Sequence, residues 1–480
     1  MKNSNKLIYI LLVGVLFTTA CKKEFLNQEP ATAVTVETAI KTSNDLADAV
    51  NGMYNTMRAS GFYGRDVVVI GDLLADNTYV NISNSGRFLT INNYTFINTS
   101  GEAANIYSQA YYTLLQANRI IYEGEKLPSS PANNQLIGEA YAVRGLVYLN
   151  LVNWFATPFT VNPAANGVPI ITIPSYVSGF DIKPSRAPVS AVYTQIIADL
   201  EQAYLLMPTT NISLHANNSN YLFKYAAKAI EARAHLYKGD YAKALTAALL
   251  VINSGGYTLA PTPAAFSSYW ASPSATTSKL ETIFETNQNA TLNNGFNGTD
   301  AIYSQAGYGD IQATTDLYNQ YSATDVRRTL IINGTRGGQQ AYIVNKYPNY
   351  SNTGDKDENK VIRYAEVILT AAEAYARTGD EINARKYLNQ IAQLRDPSFT
   401  TGYTSSGAQL ITDILDERRK ELAFEGLRFF DFKRLNLAFN RPAQAQGYAS
   451  YPFVSVTDTR RLLPIPLAEL NANPNMVPNP

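Results

Sequence analysis

Cysteine occurs once in 480 residues, at Cys21, so no disulfide can close within the chain. Histidine occurs twice, at His215 and His235, too few for a metal site built on imidazoles. His235 stands inside a helical pattern beside Ala232 and Ala234 and is expected to pack; His215 stands in an Asn/Ser-rich stretch and is expected to be solvated. Charged residues make up 16% of the chain, below the roughly 25% of an average soluble protein. Lys+Arg and Asp+Glu both number 39, so there is no basic footprint of the kind that binds nucleic acid. The sequence has no phosphate-cradling P-loop, no dinucleotide fingerprint and no nucleophile elbow. Paired carboxylates for glycoside hydrolysis stay open, because their separation in space is not legible in sequence.

The composition that remains is globular, with 46% hydrophobic residues and enough length for one large domain or two ordinary ones. Tyrosine is abundant at 33 against 2 tryptophans. Its flat ring and polar tip suit either a helical core boundary or a wet recognition surface.

Lys2 and Lys6 precede an apolar run from Leu7 to Phe17. The run is too short for a spanning helix, which needs ~20 apolar residues, and has the length of a secretory signal core. It ends in Thr18-Thr19-Ala20-Cys21, small residues before the lone cysteine, which resembles a bacterial lipoprotein box. Residues 1–20 are therefore expected to be a signal peptide, with acyl chains such as palmitate carried on Cys21. Several acyl chains hold a protein at a membrane without any span. With its cysteine assigned to an anchor, the chain has none left for Cys–His catalysis. Residues 21–36, polar and interrupted by Pro30, read as a tether.

From residue 37 the pattern turns helical. Ile40, Leu46, Val50 and Tyr54 share a face, with Thr42 or Ser43 as cap. Residues 62–96 mix short β-prone runs with Asn, Ser and Gly and read as an irregular surface excursion. Helices follow at 106–122, 136–155 and 189–207, the last after a proline-rich crossover. The most informative feature is an internal match at a constant offset of 140 residues. Ala232 pairs with Ala372, Ala234 with Ala374, Gly239 with Gly379, Asp240 with Asp380 and Ala244 with Ala384. Small residues let two antiparallel helices approach closely, Gly turns the corner and Asp caps the next helix. This is tetratricopeptide-like chemistry, in which hairpins must stack to bury their faces. Two ordinary hairpins with convergent small residues would look the same.

Residues 255–350 are rich in Gly, Ser, Thr, Asn and Tyr, and a long insertion of this kind is usually functional. Asp355, Asp357, Asn359 and Glu366 partly mimic a calcium loop, but Lys360 stands where the sharp turn needs Gly. The stretch reads as a solvated helix N-terminus, and no metal is expected. In residues 416–434, charges alternate at helical spacing before Phe429, Phe430 and Phe432. Structure, rather than ligand binding, is the favoured role for that segment.

Three stretches carry a family resemblance: Glu417-Arg418-Arg419-Lys420-Glu421-Leu422-Ala423-Phe424-Glu425-Gly426 with Arg428-Phe429-Phe430-Asp431, Arg363-Tyr364-Ala365-Glu366 with Ala372-Glu373-Ala374, and Leu463-Pro464-Ile465-Pro466 with Asn473-Pro474. Together they resemble the SusD/RagB family of outer-membrane nutrient-binding lipoproteins. The resemblance implies a mostly α fold, a single large domain of tetratricopeptide-like hairpins with irregular loop and short-strand insertions. It divides the mature chain into an N-terminal SusD-like region, 37–225, and a C-terminal RagB/SusD region, 226–480. It implies no enzyme activity and no cofactor. It also implies a lipid anchor facing the exterior of a Gram-negative outer membrane, and a SusC-like TonB-dependent transporter as partner. The implied ligand is an oligosaccharide; a peptide or other nutrient is the alternative, and a lipoprotein glycosidase or a pure assembly scaffold stand further off. Sugars are gripped by aromatic faces and planar polar side chains. Two stretches supply that mixture: Asp72, Asp76, Asn77, Tyr79 and Arg87, and Tyr269, Trp270 and Tyr303.

Overall fold

The computed structural model describes residues 39–179, 181–211, 214–448 and 451–480. The expected signal peptide and tether, with Cys21, lie outside the described residues. No helix among the described residues is long and apolar enough to cross a membrane.

The first helix, α1 (Ser43–Met57), starts where Thr42 can cap it. Thr42 Oγ1 accepts the Asp45 N–H at 3.2 Å, and the Asp45 carboxylate accepts the Thr42 N–H at 2.8 Å. Leu46, Val50, Met53 and Met57 are buried on its inner face. α1 packs on α3 (Gly101–Gly124), and α3 packs on α4 (Pro131–Phe155). Ser130 caps α4 and Pro131 supplies its preset first turn. Twenty of the 25 residues of α4 are buried, which makes it a central rod rather than an amphipathic surface helix. Its other side is covered by α5 (Val189–Leu206).

The two segments related by 140 residues form corresponding hairpins. One is α6 (Lys224–Lys238) with α7 (Tyr241–Ser254); the other is α9 (Tyr364–Arg377) with α10 (Glu381–Arg395). Gly239 and Gly379 take φ of +78° and +92°, and the side chains of Asp240 and Asp380 accept the Lys243 and Asn383 N–H groups. The matched alanines are buried, and α7 packs on α9, so the hairpins stack on each other. The fold is mostly helical, with short antiparallel strands: one sheet ordered β1 (Thr78–Val80), β3 (Ile311–Ala313), β5 (Gln339–Val344), β4 (Ile331–Arg336), and a pair of β2 (Thr282–Thr286) with β6 (Asn359–Arg363).

Three expectations are corrected. Residues 62–96 do not form a surface excursion: all eight residues of α2 (Asp66–Leu73) are buried. The run Val67-Val68-Val69-Ile70 is apolar all round because it is surrounded. His215 is not solvated. Its ring stacks on Tyr221 with centroids 3.7 Å apart, and its Nε2 lies 2.9 Å from the Glu139 carboxylate. Asp357 and Asn359 are buried, the latter opening β6, while Glu366 sits within α9 and pairs with Arg233 at 2.5 Å. The stretch leads through the buried strand β6 into the first turn of α9, so the helix start is there but is buried rather than solvated.

The charged segment 416–434 runs through the interior. In α11 (Gly407–Leu422), Glu417 meets Arg327 at 2.6 Å, and Glu421 meets Arg363, Arg395 and Arg327 at 3.0, 3.1 and 3.2 Å. Glu425 takes Arg363 and Lys346, and Glu281 takes Arg395 and Arg363. From α12 (Arg428–Arg434), Asp431 holds Arg418 while Arg434 grips Glu373. Burial would raise these carboxyls, but the guanidiniums outweigh it and hold Glu417, Glu421, Glu425, Glu373 and Asp431 below their ordinary values. Phe429 and Phe430 pack on Trp154, and Phe432 stacks on Phe439. Gly426 turns between α11 and α12 with φ +76°, where a Cβ would meet the Val67 carbonyl at 2.4 Å. Only glycine fits so tight a crossing over α2.

Candidate ligand-binding site

Most of the residues singled out in sequence are engaged in the interior. Asp72 accepts the Gly426 N–H and the Asn77 side-chain amide, both at 2.7 Å. Asp76 pairs with Arg428 at 2.8 Å, and Asn77 accepts from Arg419 Nε at 2.9 Å. These three residues fasten the N-terminal segment to the 416–434 segment. Their polarity serves a buried charge lattice and leaves nothing facing solvent. Tyr79 donates to Gln312 between β1 and β3. Tyr269 and Trp270 lie on α8 (Pro263–Ala271) in a small core with Phe266, Val326 and Leu330. Tyr303 is fully buried and stacks on Tyr347. A ring covered on both faces cannot receive a sugar.

Arg87 is the exception. Its guanidinium lies 3.6 Å from the ring centroid of Tyr308, and its Nη2 donates to the Tyr308 hydroxyl at 2.7 Å. Tyr308 meets Phe296 at 5.9 Å between centroids, and Phe296 meets Tyr350 at 6.1 Å. Lys356 closes the row, 5.6 Å from the Tyr350 ring. Phe296 is 62% exposed, so its ring is open to a ligand.

The segment carrying Phe296 is braced by its own asparagines. Asn289 Oδ1 accepts the Thr291 and Leu292 N–H groups, and Asn293 Oδ1 accepts the Gly295 N–H. Short amide side chains mimic backbone turns in this way, so an Asn-rich stretch folds into a defined loop. The loop is pinned to the N-terminal segment by Asn294, which donates to the Arg58 carbonyl at 2.8 Å, and by Thr299, which donates to the Gly64 carbonyl at 3.0 Å.

Phe296 and Tyr350 border a cavity of about 210 Å³, lined among others by Gln288, Asn293, Asp300, Asp357 and Asn359. Gln288 Nε2 and Asn359 Oδ1 are buried and have no hydrogen-bond partner among the described residues. A donor and an acceptor left unpaired in the same cavity wall each carry a desolvation cost that a polar ligand would relieve. Burial pushes Asp357 up to about 6, against the hydrogen bonds of Asn349, and burial also raises Asp300. An exposed aromatic row beside buried amides and carboxyls can bind a polyhydroxylated ligand by stacking and planar hydrogen bonds. A larger groove of about 580 Å³ lies between α3, residues 169–184 and residues 466–473. Its rings, Tyr107 and Tyr111, pack on each other, and Tyr111 donates to the Pro169 carbonyl, so they present no comparable row.

Sequence reasoning missed Phe296, Tyr308, Tyr350, Lys356 and Gln288 as ligand residues, and weighed Asn359 only within a calcium-loop pattern. The Gly/Asn/Tyr-rich composition of residues 255–350 was the available signal, and four of the six fall inside that range.

The arrangement is that of a helical scaffold presenting a loop-built binding surface. Residues 331–480 match the profile of the SusD family, and residues 24–236 match the profile described as starch-binding associating with outer membrane. The chain belongs to the SusD family. SusD-like protein P2 of Formosa agariphila is 27% identical over 98% of this chain and 99% of its own. A presumptive sugar-binding protein of Bacteroides vulgatus superposes with a TM-score of 0.82 at 30% identity, covering 92% of this chain and 99% of its own. A SusD superfamily protein of Bacteroides thetaiotaomicron superposes equally well, TM-score 0.82 at 28% identity, covering 92% and 100%.

Proposed function

We propose that the protein is a cell-surface lipoprotein, anchored to the outer membrane through Cys21, that captures an oligosaccharide on the Tyr308–Phe296–Tyr350 row and delivers it to a SusC-like TonB-dependent transporter. The observation that carries this reading is the exposed Phe296 ring beside a cavity with two unpaired buried amide atoms. The association of the family with sugar and the outer membrane supports it. The protein acts by binding, not by catalysis. The stacked hairpins hold the loops rigid, so little ordering cost falls on the ligand encounter.

Calorimetry of Phe296→Ala against a panel of oligosaccharides and peptides tests the site. Stacking on a single ring contributes about 0.5–1.5 kcal/mol, so affinity should fall by a few-fold to about tenfold. The melting temperature should not move, because the ring contributes little to the core. Unchanged affinity for a glycan that the parent binds would remove the row from the site. Binding confined to peptides would turn the reading to the peptide alternative. Purification from detergent-solubilised outer membranes should bring a barrel transporter with the protein; its consistent absence would count against delivery.

A further inference from the structure

We infer that the oligosaccharide is an acidic one, carrying uronate carboxylates or sulfate esters, and that Arg87 and Lys356 grip it from opposite ends of the aromatic row. This rests on the reading of the row as the glycan site.

The row is continuous: Arg87 on Tyr308, Tyr308 against Phe296, Phe296 against Tyr350, Tyr350 beside Lys356. A cation therefore stands at each end of the row, two of whose rings, Phe296 and Tyr350, line the cavity together with Lys356. These two cations stand at the ends of the row without a counterion among the described residues. The arginines of the interior lattice have carboxylate partners, and neighbouring Arg65 and Arg336 have Asp66 at 2.6 Å and Asp310 at 3.5 Å. Neither Arg87 nor Lys356 has a carboxylate within 4 Å among the described residues. Arg87 donates only to the neutral hydroxyls of Ser85 and Tyr308, and Lys356 to the carbonyl of Tyr350.

The carboxyls that could compete are restrained. Asp310 is held by Ser85 and Arg336. Asp357, in the cavity wall, accepts the backbone N–H and the side-chain amide of Asn349, and burial pushes both Asp300 and Asp357 upward. The nearest opposing influence is Asp300, which feels the charge of Lys356. The Tyr308 face keeps Arg87 in place, so little side-chain entropy is lost when it closes on an anion. A guanidinium fork matches both a carboxylate and a sulfate, while a lysine ammonium acts as a point charge. A neutral glycan would stack on the same rings but would leave both cations without a partner.

The test uses the full chain and four probes: polygalacturonate and ι-carrageenan as carboxylate and sulfate polymers, carboxyl-reduced polygalacturonate and starch as neutral ones. The expected result is binding to at least one acidic polymer about tenfold tighter than to either neutral one. The acidic probe that binds tells carboxylate from sulfate. Arg87→Gln and Lys356→Gln should each weaken that binding about tenfold, with melting unchanged, and rising salt should weaken it in the parent, since partly exposed charges are screened. Equal or tighter binding to the neutral probes, binding to neither acidic polymer, or unchanged affinity in both variants would overturn the inference. Phe296→Ala separates the two failures. A neutral probe lost in that variant keeps the row and removes the charge preference; an acidic probe unaffected by it removes the row itself.

Discussion

Replacing Glu421 by Gln keeps the shape of the side chain and removes one charge from the centre of the buried lattice. Glu421 faces Arg363 at 3.0 Å, Arg395 at 3.1 Å and Arg327 at 3.2 Å, and all four side chains are inaccessible or nearly so. Breaking a buried pair by removing one partner costs about 3–5 kcal/mol, because the remaining charge is left without compensation. Here each arginine keeps another counterion: Arg363 has Glu425, Arg395 has Glu281, and Arg327 has Asp325 and Glu417. The loss should therefore fall at the lower end, about 3 kcal/mol at neutral pH. The pH dependence follows from the direction of the shift. Glu421 is held below its ordinary 4.5, so its contribution is complete above that value and fades as pH falls toward the depressed folded one. Urea unfolding of parent and variant across pH 3 to 7 should show a gap that is widest at neutral pH and narrows in acid. A gap under about 1 kcal/mol at pH 7, or one that does not change with pH, would refute the assignment of a stabilising charge to Glu421.

Three further outcomes are expected. Asp66 is fully buried and is pushed up to about 6 by that burial, against Arg65. Its ionised form is disfavoured in the fold, so stability should fall as pH rises from 3.8 through about 6; Asp66→Asn should lose that slope in denaturation at pH 4 and pH 7. Trp270→Ala should destabilise by about 3–5 kcal/mol in urea unfolding, yet the folded variant should keep parental glycan affinity by calorimetry, the reverse of Phe296→Ala. Cys21→Ser should move the protein from the membrane to the soluble fraction on centrifugation, since the anchor and not a spanning helix is expected to hold it.

The scaffold was legible because it is local. Thr42 with Asp45, and the Gly-Asp corners at 239–240 and 379–380, bring cap and helix together within a few residues, where short-range chemistry decides the outcome. The site was not legible for the opposite reason. Arg87 reaches Tyr308 across 221 positions, and Gln288 and Asn359 reach one cavity wall through the β2–β6 pairing, so only the completed fold assembles them. Residue type alone also misleads about burial. Trp270 has the ring most suited to a sugar, but Val326 and Leu330, more than 50 positions on, cover it. Asp72, Asp76 and Asn77 look like a polar ligand cluster until Arg419, Arg428 and Gly426 arrive to use them.

That last arrangement sets a timetable for the chain. Asp72 and Asp76 find their partners some 350 positions later, and α2 is sealed by the backbone of Gly426. A growing polypeptide emerges N-terminus first and at that stage has nothing to satisfy those carboxylates, so its opening third cannot settle until its final seventy residues are available. Such long-range closure makes folding slow and late. A product terminated shortly before residue 416 would be left with stranded acids around α2 and should be cleared as unfolded rather than persist as a shorter working binder.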